Sequence, residues 1–392
     1  MENLSKHICF VARTFSRRDS LIVYRQGMSL VKSGYRVSYI LCDGLPDEVR
    51  YGIEMKSIDT SHHGWLYTMI SKNSHLKYRY ERLINSFRFK QYLKQYDADV
   101  FQINNFDQLE LGLYLKRLGK CVVYDLREYY PIFSSRKYKT KLVRRLSFIL
   151  KERKLTKVAN KFDAIFNCMP EMHDYIHKVM PCKFFEDVAN FPVVDNNFSL
   201  TFEDYISRKK NICYFGTIYN ISCQEVLLSA LESFPEVIYT LAGVFYDKEY
   251  QKSLSAMRGW KQVDFINGFK REDLPDIINS SIIGNVVKDF DQTETPQGSY
   301  SIIKIFETME AAVPVLLAKV PLYEQMVEKY HCGICVNPHS VEDFRAAIKY
   351  LIENPREAYE MGQNGRRAVI AEYSWDSQYK KYIGVIQELL KS

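Results

Sequence analysis

Short apolar strands alternate with amphipathic helices along most of this 392-residue chain, and this pattern constrains its fold more than any other feature. Strands that alternate with helices predict parallel sheets, because each helix returns the chain to the edge where the next strand begins. The first series of predicted strands covers 6–12, 35–42, 98–104, 121–126 and 164–168. The second covers 212–215, 237–242, 262–266, 282–287, 313–318 and 333–336. The predicted class is α/β, with two doubly wound, Rossmann-like domains.

Helical periodicity fills most of the intervals between these strands. In the first half the predicted helices cover 20–32, 78–95, 108–118 and 138–159. Three more helical stretches follow Val341, and the last covers 374–390. A polar, proline-bearing stretch over 190–197 separates the two series of strands. It predicts a first domain over 1–190, a second over 191–372, and a C-terminal helix over 373–392 that packs back toward the first domain.

The composition indicates a globular protein. Hydrophobic residues make up 46% of the chain and charged residues 26%, which supports sizeable cores and excludes disordered and fibrous classes. There is no apolar run of about 18 residues, and the N-terminal run 8–12 is too short for a signal-peptide core. The nine cysteines are odd in number and lie mostly within apolar runs. They predict buried thiols in a reducing compartment, and hence a soluble cytoplasmic protein.

Positive charge is concentrated in two segments of the first half. Residues 134–161 contain eleven lysines and arginines against one acidic residue, Glu152. Residues 72–94 contain seven against Glu81. Leucine, isoleucine and valine recur at helical spacing in the first of these segments, which predicts an amphipathic basic helix. Such a helix either is a solvated surface or docks to an anionic membrane or a phosphate-bearing acceptor. Nucleic acid is disfavoured, because no binding motif accompanies the charge.

The most specific motif lies over 300–315. Lys304 and Glu307 are three residues apart and share one face of a helix. This helix is predicted to begin near 299–301, after the loop 293–298. Free backbone N–H groups at a helix N-terminus suit a diphosphate, and a lysine one turn in adds a point charge for its oxygens. An ordinary ion pair between Lys304 and Glu307 is the alternative interpretation.

This motif resembles the carboxyl-terminal signature of retaining GT-B glycosyltransferases (glycosyl transferases group 1), in the variant Lys-x-x-Glu-x-Met-Ala-x-Gly-x-Pro-Val. Further motifs resemble elements of the same family in order and spacing. They lie over 30–37, 122–131, 213–218, 241–243, 263–274 and 336–338. The resemblance implies the GT-B fold, in which two Rossmann-like domains face each other across a cleft. It also implies that the first domain binds the acceptor and the second a nucleotide-sugar.

The resemblance assigns roles to individual residues. It implies that Glu307 binds the ribose, that Lys304 binds the diphosphate, and that both act in catalysis. Gly216 would let the backbone approach the phosphates, and Phe269 would lie beside the base. The full implied donor site is Gly216, Thr217, Gly243, Phe269, Ser299, Tyr300, Ser301, Lys304 and Glu307. On the acceptor side the implied residues are Asp125, Arg127 and Glu128.

Three positions depart from the family pattern. Ser299 stands where the family has a glutamate that faces the donor sugar, Thr217 replaces an arginine, and Arg127 replaces a histidine. Phosphate binding would then depend on Lys304 and the helix N-terminus, with Lys288, Lys270 or Arg271 as further cations. These departures motivate two alternatives: a non-catalytic nucleotide-sugar-binding or assembly protein with a degenerate GT-B site, and a GT-B nucleotide-sugar epimerase.

Other chemistry is predicted to be absent. Asp289 and Asp291 have the spacing of a metal-binding Asp-x-Asp pair, but a solvated acidic loop is the preferred interpretation. His331, Cys332, Cys335 and His339 mimic zinc spacing without two well-separated ligand pairs. Asp125 and Glu128 could form a carboxylate pair for acid–base chemistry, although a strand-end aspartate more often bonds the backbone. No Gly-x-Gly-x-x-Gly follows the first strand, which disfavours a nicotinamide dehydrogenase.

Together these features predict a hexosyltransferase-type enzyme that needs no metal and no cofactor. Its donor would be a UDP- or GDP-linked sugar, which is a substrate. Its acceptor would be a hydroxyl of a glycan or lipid-linked glycan in surface polysaccharide biosynthesis. No nucleic acid partner is expected. The basic segment 134–161 predicts contact with an anionic membrane surface, so that the protein would be cytoplasmic and peripheral on the inner face of the cell membrane.

Overall fold

A computed structural model describes residues 6–58, 69, 73–135, 138, 140–291, 293 and 295–391. The chain divides into two compact units. The first unit comprises Met1–Asn190 together with Gln378–Ser392, and the second comprises Phe191–Ser377. Each unit contains one sheet covered by helices, so the predicted α/β class with two Rossmann-like units is confirmed. The last helix begins at Trp375, and the division between the units falls within its first turn.

The sheet of the first unit has eight strands in the order β3-β4-β2-β1-β5-β6-β7-β8. The strands are β1 His7–Val11, β2 Arg36–Leu41, β3 Glu48–Arg50, β4 Ile53–Ser57, β5 Val100–Ile103, β6 Cys121–Leu126, β7 Ala164–Asn167 and β8 Phe184–Asp187. All neighbouring pairs are parallel except β3 and β4, which are antiparallel. Strands β3, β4 and β8 were not predicted from the sequence. β3 and β8 are edge strands without a buried run, so they lack the apolar pattern of the central strands.

The helices of the first unit are α1 Met28–Lys32, α2 Ser74–Lys94, α3 Leu109–Arg117, α4 Tyr130–Ser135, α5 Lys141–Ala159 and α6 His173–Val179. The predicted helix over 20–32 is in part a π-helical turn, Ile22–Gly27. A Cβ atom on Gly27 would lie 2.5 Å from Cδ1 of Ile53 and 2.8 Å from the carbonyl oxygen of Ile22. Glycine therefore allows this turn to pack closely on β4. The basic residues at 136, 137 and 139 lie outside the described residues.

The second unit contains six parallel strands in the order β11-β10-β9-β12-β13-β14. They are β9 Asn211–Phe215, β10 Ile238–Gly243, β11 Val263–Asn267, β12 Ile283–Asn285, β13 Val315–Ala318 and β14 Gly333–Val336. Its helices are α7 Phe202–Ser207, α8 Gln224–Leu231, α9 Lys248–Ser255, α10 Leu274–Asn279, α11 Ile303–Glu310, α12 Pro321–Tyr330, α13 Val341–Glu353 and α14 Pro355–Ala371. The last helix, α15 Trp375–Lys391, begins in the second unit and continues in the first. All six strands were predicted, although β12 is half as long as expected. Helix α11 begins at Ile303 rather than near 299–301, so the predicted start was wrong by two to four residues.

The C-terminal helix α15 docks on the sheet of the first unit. Tyr382 is fully buried, and its ring lies 4.6 Å from the ring of Phe166 on β7. Its hydroxyl donates a 2.8 Å hydrogen bond to Oε1 of Gln102 on β5. The buried tyrosine thus combines apolar contact area with a satisfied polar group. The expectation that the chain's last helix returns to the first domain is confirmed.

All nine cysteines are free thiols, and none is exposed. Burial raises the pKa of the Cys213 thiol to about 11 and that of Cys223 to about 12, so these side chains behave as small apolar residues. Within the described ranges, none of the helices has the length and hydropathy that crossing a bilayer requires.

Candidate functional site

The carboxyl ends of β9 and β10 meet through two glycines, both with positive φ. Gly216 has φ +107° and Gly243 has φ +153°. A Cβ atom on Gly243 would lie 1.8 Å from the carbonyl oxygen of Gly216, so no larger residue fits there. The amide of Gly216 donates a 2.9 Å hydrogen bond to the carbonyl oxygen of Ala242. These glycines therefore bring two backbone segments together where a doubly wound sheet binds its ligands.

Lys304 lies over the end of β9. It stands in the first turn of α11, and its Nζ is 3.9 Å from the centroid of the Tyr214 ring. The same ammonium donates a 2.7 Å hydrogen bond to the Tyr214 hydroxyl, which donates a 2.9 Å bond to the carbonyl oxygen of Thr217. A Cβ atom on Gly216 would lie 3.0 Å from Cε of Lys304, so the glycine makes room for this side chain. Tyr214 was not predicted as a site residue.

Lys304 opens onto a cavity of about 280 Å³, called here the Lys304 cavity. It is lined by Tyr214, Thr217, Tyr219, Ile221, Ser222, Val286, Val287, Lys288, Ser301, Ile302, Ile303 and Lys304. Lys288, one of the further cations considered from the sequence, is half-buried and faces the same space. The two ammonium groups give the cavity a positive character that suits an anionic ligand.

The N-terminus of α11 also borders the Lys304 cavity. Ile302 stands at the N-cap and provides no side-chain hydrogen bond there. The amides of Ile303 and Ile305 donate 3.1 Å hydrogen bonds to the carbonyl oxygens of Ser301 and Ile302. The positive end of the helix dipole still favours an anion at this end. Ser301 lines the cavity, and its amide donates a 3.1 Å bond to Oγ of Ser299. Ser299 is buried, and Tyr300 stacks against Tyr373 with ring centroids 5.9 Å apart.

Glu307 lies in a different setting from Lys304. Its side chain is only 6% exposed and forms an ion pair with Arg271, which precedes α10. Both residues line a second cavity of about 210 Å³, the Glu307 cavity, beside Pro275 and Glu310. The sequence predicted that Lys304 and Glu307 face one ligand, whereas the structure places them in the linings of two cavities. The ion pair of Glu307 with Arg271 also differs from the intrahelical pair considered as the alternative.

Phe269 contacts the hydrophobic core that lies between these elements. Its half-buried ring packs against the cluster that contains Cys213, Phe215 and Leu274. It is absent from the residues that line the Lys304 cavity. Its predicted place beside a base therefore stays a prediction. Arg271, two residues further on, was a candidate for phosphate contact, and the structure places its guanidinium on Glu307 instead.

In the first unit, a cavity of about 180 Å³ lies at the carboxyl ends of β1, β5 and β6; we call it the Arg127 cavity. Its lining includes Arg13, Asp107, Arg127 and Glu128. Arg127 is held by a 2.9 Å ion pair with Asp19 and by the ring of Phe15, whose centroid is 4.3 Å from the guanidinium carbon. Two of the three predicted acceptor-side residues thus line one cavity. The polar residues 104, 105 and 107 also line this cavity and were not predicted. Their position directly after the predicted strand β5 is the sequence signal that could have identified them.

Asp125 does not reach the Arg127 cavity. It is fully buried and accepts hydrogen bonds from Nε2 of Gln26 at 3.2 Å, Nε2 of Gln102 at 3.3 Å and Sγ of Cys168 at 3.4 Å. Burial raises the pKa of the Asp125 carboxyl above its ordinary value. Asp125 thus lies in a buried network and Glu128 in the lining of the Arg127 cavity, so the structure does not support the less favoured interpretation of the two as a carboxylate pair. The preferred interpretation, a strand-end aspartate that bonds the backbone, was wrong about the partners, because the hydrogen bonds of Asp125 come from side chains.

The Asp-x-Asp motif also differs from its expected setting. The sequence interpretation described Asp289 and Asp291 as a solvated acidic loop. It was wrong for Asp289, whose side chain is buried at 3% exposure. Nε2 of His339 lies 3.7 Å from Oδ2 of Asp289. Asp289, Asp291 and His339 are the one group in the described part of the chain that brings three potential metal-ligating atoms together. His331, Cys332 and Cys335 do not belong to it.

The second unit of the chain resembles a known family in sequence. Residues 202–368 match the sequence model of the family described as "Glycosyl transferases group 1". One curated protein, MMP alpha-(1->4)-mannosyltransferase of Mycolicibacterium hassiacum, is 26% identical over 85 residues. That match spans only about a fifth of each chain, 21% in both cases.

Solved structures resemble nearly the whole chain. The structure of Anabaena HepE in complex with UDP and glucose has a TM-score of 0.70 at 15% identity, with 98% of this chain and 100% of that one covered. Sucrose-phosphate synthase from Thermosynechococcus elongatus has a TM-score of 0.69 at 14% identity, with 98% and 99% covered. At such low identities the likeness shows the fold. The chain thus has the GT-B fold, and its residues 202–368 match the sequence model of the glycosyl transferases group 1.

Proposed function

We propose that this chain is a glycosyltransferase that moves a sugar from a nucleoside diphosphate to a hydroxyl acceptor. The observation that carries the proposal is the placement of Lys304 and the uncapped end of α11 around one cavity at the carboxyl end of β9. The cavity lies within residues 202–368, which match the glycosyltransferase family model. This agreement favours sugar transfer from a nucleotide-sugar over other reactions. The UDP and glucose named with HepE favour a UDP-linked hexose as donor.

The chemistry follows from where charge develops. As the bond between the sugar and the diphosphate breaks, negative charge grows on the diphosphate. Lys304, Lys288 and the N-terminus of α11 would stabilise that charge, so they lower the barrier of the transfer step. The resemblance to retaining GT-B glycosyltransferases implies that the transferred sugar keeps its anomeric configuration. Glu307 would accept hydrogen bonds from ribose hydroxyls once its carboxylate is shared with or released from Arg271.

The acceptor would bind in the first unit, in the Arg127 cavity. Arg127 and Glu128 supply a donor and an acceptor of hydrogen bonds for sugar hydroxyls there. The proposed acceptor is a glycan or a lipid-linked glycan of a surface polysaccharide.

The degenerate-site alternative has its own support, because Ser299 is buried and Thr217 contributes its backbone oxygen to Tyr214. Neither side chain replaces the charged group that the family carries at its position. A non-catalytic binder would hold the nucleotide without breaking the sugar bond. An epimerase would return a free altered sugar or nucleotide-sugar, so product analysis separates these outcomes from transfer.

The test is a thermal-shift and turnover panel with UDP, GDP, and UDP- and GDP-sugars. We expect one nucleotide to raise the melting temperature of the wild type, and Lys304→Ala to weaken its binding by about tenfold or more, as loss of a charge-assisted hydrogen bond does. Glu307→Ala should also remove the shift. Lys252→Ala is the matched control, since it deletes an exposed lysine of α9 outside both cavities. If no nucleotide shifts the melting temperature, the donor site is refuted; binding without release of nucleotide favours the non-catalytic alternative.

We further propose that the first unit docks on the inner, anionic face of the cell membrane through α5. This helix leaves Leu142, Val143, Leu146 and Leu150 between 43% and 69% exposed, among lysines and arginines. Exposed apolar side chains inside a basic surface match an interface of anionic headgroups and acyl chains. We expect flotation with phosphatidylglycerol vesicles at low salt, a reduced fraction at high salt, and loss of flotation in Leu146→Gln/Leu150→Gln. Flotation that is unchanged in this variant contradicts the proposal.

A further inference from the structure

The first unit contains a second, larger cavity, which has no role in the proposed binding of the donor or of the accepting sugar. It has a volume of about 510 Å³ and lies between α2 and α5. Its positively charged side chains are Arg79 and Arg82 from α2, and Lys151 and Lys154 from α5. We call it the Arg79 cavity. The basic segments 72–94 and 134–161, which are distant in sequence, thus converge on one concave surface.

The charges in the Arg79 cavity are not balanced by its two carboxylates. Asp107 is held by an ion pair with Arg13, which lies outside this cavity. Glu110 is 3.4 Å from Nζ of Lys154. Over the described ranges, Arg79 and Arg82 form no ion pair, and both are exposed to solvent. Two guanidinium groups are therefore available for an anion, and their planar donor geometry suits phosphate oxygens.

The Arg79 cavity shares a wall with the Arg127 cavity. Phe106 and Tyr130 line both cavities, and so does Asp107. The two rings are stacked with centroids 4.2 Å apart and an interplanar angle of 20°. A ligand that occupies both cavities would therefore pass beside these two rings. Its part in the Arg127 cavity would meet hydrogen-bonding groups, and its part in the Arg79 cavity would meet cations.

We propose that the Arg79 cavity binds a phosphate or diphosphate group of the acceptor, while the accepting sugar occupies the neighbouring Arg127 cavity. The acceptor role rests on the proposed function, whereas the anion site itself rests on the charges of the cavity. Two sources share this chemistry: a soluble sugar phosphate, and the phosphorylated headgroup of a lipid carrier. In either case Arg79 and Arg82 bind the phosphoryl oxygens and thereby select acceptors that carry them.

Calorimetric titration with inorganic pyrophosphate tests the anion site. We expect Arg79→Gln/Arg82→Gln to weaken binding by about tenfold or more, because charge-assisted hydrogen bonds are lost. Lys94→Gln/Arg117→Gln is the matched control, since it removes two charges from the ends of α2 and α3 outside the cavity. An equal loss in both variants would reflect diffuse charge and overturn the proposal. Glutamine has nearly the helix propensity of arginine, and unchanged melting temperatures verify the fold.

Pyrophosphate can also bind the Lys304 cavity, so the titrations are repeated in Lys304→Ala. Binding at the Arg79 cavity must persist in that variant and must disappear when Arg79→Gln/Arg82→Gln is added. Conversely, the nucleotide-induced thermal shift must be unchanged in Arg79→Gln/Arg82→Gln. Failure of the donor site and failure of the anion site are thereby distinguished.

Two further arms identify the source of the phosphate. Competition of glucose 1-phosphate with pyrophosphate assigns the cavity to soluble sugar phosphates. Flotation with phosphatidylcholine vesicles that contain a polyprenyl diphosphate, lost in Arg79→Gln/Arg82→Gln but kept in the control pair, assigns it to a lipid carrier. If neither probe binds, the acceptor assignment is overturned.

Discussion

The polar side chains near the carboxyl ends of the two sheets differ in their surroundings. In the first unit, Asp125 on β6 is fully buried and takes three side-chain donors. In the second unit, Lys304 is half-exposed at a cavity of about 280 Å³ and bonds one tyrosine. The polar cluster near the carboxyl edge of the sheet is thus closed in the first unit and open in the second.

The difference distinguishes polar side chains that hold the fold together from polar side chains that can bind a ligand. Two of the three donors to Asp125 belong to Gln26 and Gln102, and Oε1 of Gln102 accepts a hydrogen bond from the Tyr382 hydroxyl. The cluster therefore joins the C-terminal helix to the sheet of the first unit. Lys304 can exchange the Tyr214 hydroxyl for a phosphate oxygen without leaving a donor unsatisfied, because the cavity admits solvent or ligand.

The largest effect is expected for Asp125→Ala. The substitution leaves buried amide donors of Gln26 and Gln102 without this acceptor, so we expect the free energy of unfolding to fall by about 3 kcal/mol. Lys304→Ala, in the open cluster, should change it by less than about 1 kcal/mol. Urea denaturation monitored by circular dichroism measures both. Similar losses in the two variants would remove the distinction between the clusters.

The pH dependence of stability offers a second comparison. Because the pKa of Asp125 is raised by burial, the folded state keeps this proton at pH values where the unfolded state has lost it. The free energy of unfolding should therefore fall as pH rises from about 4, the unfolded pKa, to the folded pKa, and level off above it. Each unit of pKa difference is worth about 1.4 kcal/mol.

Asp125→Asn removes this titration, so the stability of the wild type relative to the variant should decrease across that pH window. Thermal unfolding at a series of pH values measures the difference. Asp97→Asn, which removes a fully exposed carboxylate, is the matched control for the loss of one negative charge. A flat difference for Asp125→Asn would mean that its carboxyl titrates alike in both states.

The central strands could be predicted because burial on both faces leaves continuous apolar runs. β6, which lies inside the first sheet, occupies the predicted range, 121–126. The edge strands β3 and β8 consist of partly exposed residues and lack a continuous apolar run, so their sequences resemble loops. The start of α11 was placed too early because Ser299 and Ser301 resemble N-cap residues, whereas Ile302 occupies that position.

The site could be predicted only as far as local spacing reaches. Glycines at strand ends and a lysine in the first turn of a helix are local features, and the structure brings Gly216 and Lys304 together. The separation of Lys304 from Glu307 depends on Tyr214 and Arg271, which lie 90 and 36 residues away from their partners. No spacing rule reports such contacts, because tertiary packing of α10 and β9 against α11 creates them.

The smallest effect, and the sharpest test of the open site, concerns Arg271. Its side chain is 32% exposed, and glutamine keeps an N–H donor for the buried carboxylate of Glu307, so Arg271→Gln should lower the free energy of unfolding by only about 1 kcal/mol. Arg366→Gln on α14 is the comparison. Arg366 is 9% exposed and donates hydrogen bonds to Glu310, one turn after Glu307 on α11, and to the carbonyl oxygen of Asp195, so its loss should cost more. Nucleotide titration then decides the role of Arg271. If Glu307 receives the ribose, freeing it from Arg271 raises affinity; a lower affinity would instead place Arg271 itself on the nucleotide.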